Sequence, residues 1–94
     1  MMRLKGSLTG LVPMKFSDIA DALWKRGYID REHVDHHRVF YEFGVMDFLY
    51  SDVAKKFEFD YHDGEVDEVV MTQYWFGTTT FKTIKTIEEL YDNI

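Results

Sequence analysis

The run Asp30-Arg31-Glu32-His33-Val34-Asp35-His36-His37 holds three of the chain's four histidines, and it is the first place to look for chemistry. On a helix His33 and His37 are four apart and share a face, where two imidazoles can hold one divalent ion and Asp30 or Glu32 can add an oxygen ligand. The metalloprotease order H-E-x-x-H is not met, because Glu32 precedes His33 and His36 falls on another face. A tetrahedral zinc site would need further ligands, for which only His62 and carboxylates remain. The competing reading is a polar helical turn whose histidines ligate nothing. A divalent-metal-binding protein or metal-dependent hydrolase is therefore an alternative expectation resting on His33 and His37 alone.

A second group is the carboxylates Asp60, Asp63, Glu65, Asp67 and Glu68. They could hold a hard cation, but the calcium-loop order D-x-[DN]-x-[DN]-G with a distant Glu is absent. Asp63-Gly64 is explained by a tight turn, and charges at strand ends discourage edge-to-edge pairing. The third group is Gln73-Tyr74-Trp75-Phe76. On a strand Tyr74 and Phe76 point one way while Gln73 and Trp75 point the other, so the rings cannot all enter one core. Either both sheet faces are covered, or Tyr74 and Trp75 anchor a partner beside an acidic rim.

Other enzyme templates fail. The chain has no glycine-rich phosphate loop, no nucleophile elbow and no cysteine, and Ser7, Ser17 and Ser51 sit in no triad context. No cofactor is expected. Direct nucleic-acid binding is disfavoured because the rings lack interleaved Lys or Arg, with Lys82 and Lys85 as thin support.

The elements that must position these groups follow from periodicity. Asp18, Ile19, Ala22, Leu23 and Arg26, with Ser17 as N-cap and Gly27 after the end, predict a helix over 18 to 26 that lays Ile19, Leu23 and part of Trp24 on the core. Asp30 then caps a second helix. Residues 38 to 43 carry both a helical stripe and a period of two; the stripe Val34, Arg38, Tyr41, Val45, Phe48 and Leu49 favours a helix from 31 to about 50, interrupted at Gly44. From Lys56 the period is two, with Phe57, Phe59 and Tyr61 facing inward. Asp63-Gly64 turns the chain by a type I′ hairpin into Val66 and Val69 to Phe76, and Gly77 turns it again into a strand holding Phe81. Thr86-Ile87-Glu88-Glu89 is a capping box opening a terminal helix with Ile87, Leu90, Tyr91 and Ile94 on one stripe. The expected fold is α+β: a two-layer domain with N-terminal helices, a three-stranded antiparallel meander and a C-terminal helix. Residues 1 to 94 make one domain, with 1 to 14 a loose leader or edge strand.

Ninety-four residues allow one modest core, and 17% aromatic content is enough to build it without disulfides. The net charge of −6 is uneven: residues 1 to 29 balance at +3, residues 30 to 68 at −8 and the rest near −1. Half of the aromatic residues fall in that same acidic stretch. No apolar run approaches the ~20 residues of a membrane span, and a cysteine-free chain fits the cytoplasm. An acidic segment repels phosphate and complements a basic protein. The expected function is thus a small acidic interaction module, an inhibitor or adaptor that binds a basic, for example nucleic-acid-binding, protein. In size and charge alone it is like the small acidic inhibitors of phages and mobile elements that imitate DNA phosphates. A homo-oligomer covering its own aromatic strand is a further expectation.

Overall fold

The computed structural model describes residues 12–34, 37–43, 54–75 and 77–94. In chain order they form β1 (Met14–Lys15), α1 (Phe16–Lys25), β2 (Ile29–His33), β3 (Arg38–Phe43), β4 (Ala54–Asp60), β5 (Glu65–Val66), β6 (Val69–Trp75), β7 (Thr78–Ile84) and α2 (Ile87–Tyr91). Among the described residues, β2-β3-β4-β6-β7 make a five-stranded antiparallel sheet, and β1 and β5 a small two-stranded one. The fold is α+β, dominated by strands.

The middle of the chain departs from expectation. Residues 29–33 and 38–43 are not a helix but an antiparallel hairpin, with Asp30 opposite Tyr41 instead of capping a helix. The reason lies in the partner strand. Val39 stands opposite Phe59 and Tyr41 opposite Phe57, and all four are buried. Residues two apart on a helix lie about 200° apart, so a helical segment could not present Val39 and Tyr41 together to Phe57 and Phe59. The period of two wins because it buries both, with the rings of Tyr41 and Phe59 stacked at 6.1 Å. The rest of the expected helix, residues 44 to 50, lies outside the described residues, as do residues 1 to 11 of the expected leader. Among the described residues the meander consequently has five strands instead of three.

The other expectations hold with adjustments. Helix α1 starts at Phe16, with Lys15 and not Ser17 at the N-cap position and no side-chain cap bond. It ends in a Schellman closure: Gly27 N–H donates to the Trp24 carbonyl at 3.0 Å and Tyr28 N–H to the Leu23 carbonyl at 3.1 Å. Gly27 supplies the required positive φ, +89°. Trp24, expected partly in the core, is exposed. At Asp63 and Gly64 φ is +52° and +76°, and His62 and Glu65 exchange both backbone hydrogen bonds across them, as a type I′ hairpin requires. The return strand is split, because Glu65 and Val66 first pair with Lys15 and Met14 before β6 joins β4. Thr86 caps α2, its hydroxyl accepting from Glu89 N–H at 3.1 Å, while the Glu89 carboxylate accepts from Lys85 N–H at 3.1 Å.

One sheet face carries Val39, Tyr41, Phe57, Phe59, Val69, Met71 and Ile84. Ile19 and Leu23 of α1 and Leu90 of α2 join them in one buried cluster. The opposite face carries Arg38, Phe40, Glu42, Lys56, Glu58, Val70, Thr72, Tyr74 and Phe81, as the register dictates.

Candidate functional site

The acidic residues gather at the end of the sheet where β4 finishes and β6 begins. Glu58 and Asp60 stand on the outer face of β4, Asp63 on the turn, Glu65 on β5, and Asp67 and Glu68 on the bend before β6. This end is braced from the core side. Phe16 N–H donates to the Gly64 carbonyl at 2.9 Å, and the Phe16 ring packs on Tyr61 at 4.5 Å and Phe59 at 5.7 Å. Met14 and Val66, paired between β1 and β5, are both buried. The hairpin tip is therefore fixed to the start of α1, and the carboxylates project from a held frame.

Between them runs an open groove of about 570 Å³, lined by Arg38, Glu58, Asp60, His62, Asp67, Glu68 and Val70 with Phe59 behind. Arg38 is its resident cation. Its Nε donates to Asp60 at 2.9 Å and its Nη1 to Glu58 at 3.2 Å. The hydrogen bonds and charge of Asp60, reinforced by Glu58, hold its guanidinium pKa above the ordinary arginine value. His62 Nε2 lies 4.0 Å from Asp67, an ion pair when the imidazole is protonated. Glu68 lines the groove from the bend, and Asp67 and Glu68 are exposed. Sequence reasoning missed Arg38 and Glu58 at this site. The signal was the i-to-j register of two strands, which places Arg38 against Asp60 once residues 38 to 43 are read as a strand.

Tyrosines border this end on the core side. The Tyr61 hydroxyl donates to the Glu32 carboxylate. That hydrogen bond, with burial and the Glu32 charge, raises the Tyr61 pKa above its ordinary value. Burial raises that of Tyr41, with Asp30 and Glu32 adding to it.

The expected joining of acidic rim and aromatic anchors is not found. Tyr74 and Trp75 end β6, while Asp67 and Glu68 precede its start, so about 20 Å of strand separates them. Tyr74 lies half-buried on the outer face, and Trp75, about half exposed at 51%, lies on the other. The aromatic ring that lines the groove is instead Phe59, from the core side, while Phe40 stands opposite Glu58 across the register.

The histidine pair is likewise rearranged. His33 ends β2, its ring 4.9 Å from that of Phe40, and His37 sits in the following turn at φ +48°, its ring 5.9 Å from that of Tyr61. They do not share a helix face, so the geometry that suggested two imidazoles on one ion is absent. Among the described residues, no group of three or more His, Cys, Asp or Glu side chains could hold a metal ion. His36 and Asp35 lie outside the described residues. No helix among the described residues is long and apolar enough to cross a membrane. Compared with known proteins, the chain matches no family model, no curated protein and no solved structure.

Proposed function

We propose that this chain is a non-enzymatic interaction module whose acidic end engages the basic surface of a partner protein, acting as an inhibitor or adaptor. One observation carries the reading: Glu58, Asp60, Asp67 and Glu68 line one groove at a braced end, Asp63 and Glu65 sit on the adjoining hairpin, and among the described residues lining the groove Arg38 is the one permanent cation. Such a surface steers a cationic partner into register and rejects phosphate. A nucleic-acid-binding protein supplies the complementary surface, since its phosphate site is a patch of Lys and Arg. The carboxylates then occupy the place of phosphates, and the protein need not contact nucleic acid itself.

The partner contacts are Asp60, Asp63, Glu65, Asp67 and Glu68. Tyr74 and Trp75, at the far end of β6, contribute only to a partner that spans the sheet. The test replaces these five carboxylates by Asn or Gln and measures association with polylysine at low and high salt. The wild-type chain should bind in a salt-sensitive way, and the neutralised variant should lose roughly tenfold or more at low salt, a few tenths of a kcal/mol per rim contact. Equal binding by both would remove the acidic end from the interface.

A further inference from the structure

We propose that β7 is a self-pairing edge: two copies of this chain join antiparallel along Thr78–Ile84, about a two-fold axis at Phe81, into one continuous sheet. This inference does not rest on the acidic-end reading.

The observation behind it is an open strand. β7 ends the sheet order, paired on one side with β6 over all seven of its positions, and among the described residues no strand pairs its other side. Six of its seven residues are exposed. Its outward backbone N–H and C=O groups therefore form a template for another strand. Folded proteins usually blunt such edges with proline, charge or a bulge. β7, Thr-Thr-Thr-Phe-Lys-Thr-Ile, has one charge and no proline, and its register with β6 is unbroken. The other edge, β2, is the contrast, since Asp30, Arg31 and Glu32 occupy the middle of its five residues.

The sequence of β7 is complementary to itself in one register. With the axis at Phe81, Thr79 faces Thr83 of the second copy, Phe81 faces Phe81, and Thr80 faces Lys82. Threonine pairs and aromatic pairs are favourable cross-strand neighbours. The Phe81 ring, 72% exposed in the single chain, gains a partner. Moving the axis one position toward Ile84 sets Lys82 directly against its own copy, and pairing out of register by one residue turns Phe81 to the face of Thr80 and Lys82.

Charge supports a second copy in this orientation. From Val69 to Ile87 the chain has Lys82 and Lys85 and no carboxylate. Ile84 pairs with Val69 at the acidic end, and Thr78 with Trp75 at the other. Antiparallel pairing thus lays each acidic end beside the carboxylate-free hairpin end of the other copy, and the two acidic ends lie at opposite ends of the joint. The contact is isologous and closes at two copies.

The experiment uses the full chain, which has no native cysteine. Sedimentation equilibrium should give twice the 11.2 kDa chain mass, and Phe81→Lys, which sets two ammonium groups at the axis, should weaken association about tenfold or more without loss of the folded circular-dichroism spectrum. A short bis-maleimide should link Phe81→Cys to itself as a covalent dimer and leave Thr79→Cys unlinked, since Thr79 faces Thr83. A wild-type chain that is monomeric at all concentrations overturns the proposal. So does equal linking of both cysteine variants, or growth beyond the dimer, the mark of β7 pairing head-to-tail with β2. Polylysine binding is not measured here, so failure of this joint leaves the acidic-end reading standing.

Discussion

Arg38 decides how the acidic end presents itself. It sits between Asp60 and Glu58 and spends part of their charge. Because the guanidinium occupies the groove that a partner's cation would enter, Arg38→Gln should strengthen polylysine binding at low salt, a few-fold, while the carboxylate replacements weaken it. A titration of affinity against salt for both variants checks the opposite signs. The tyrosines make a second prediction. Burial raises the pKa of Tyr28 and Tyr41, and the Glu32 hydrogen bond raises that of Tyr61. In each case folding favours the protonated phenol. The stability this contributes is fully present below the ordinary tyrosine value near 10 and is lost as pH rises through the raised values. Phenolate absorbance should therefore show these residues titrating late and together with unfolding, and Tyr61→Phe should remove one phenol from that alkaline step.

At the scale of elements, the turns were the most legible part of the sequence. Gly27, Asp63-Gly64 and Thr86 each occupy the position their local chemistry requires, because caps and type I′ turns depend on a few adjacent residues. Gly27→Ala should cost about 1–2 kcal/mol, since the added Cβ meets only the Phe43 ring at an ordinary 3.9 Å and the penalty is the positive φ itself. Gly27→Asn should cost less, as asparagine tolerates that conformation; denaturant midpoints of the two variants check the order. The stretch from Asp30 to Phe43 was illegible for the opposite reason. Its apolar residues satisfy two periods at once, and only Phe57 and Phe59, some twenty positions onward, select between them. The candidate site shared that fate. The carboxylates were visible as a composition, but Arg38 among them, and the removal of Tyr74 and Trp75 to the far end, follow from strand register, which no local window contains.

Across the whole molecule, acidity and aromatic content coincide in sequence but divide in space. Phe57, Phe59 and Tyr41 go to the core face, while Glu58, Asp60 and their neighbours take the outer face and the end of the same strands. One stretch of chain thereby supplies both the core and the charged end. The proposed acidic contact uses carboxylates that precede β6 and the proposed joint uses the open side of β7, so a variant of one leaves the groups of the other in place. The bracing of the acidic end has a kinetic consequence. The hairpins of the sheet join strands near in sequence, whereas Met14 meets Val66 about fifty positions away, so loop-closure entropy opposes the clamp more than any pairing within the large sheet. The clamp should close after the hairpins of the sheet in refolding and open before them in native fluctuations. Its signature is the Phe16 amide, bonded to Gly64, exchanging with solvent before the amides of β4 and β6.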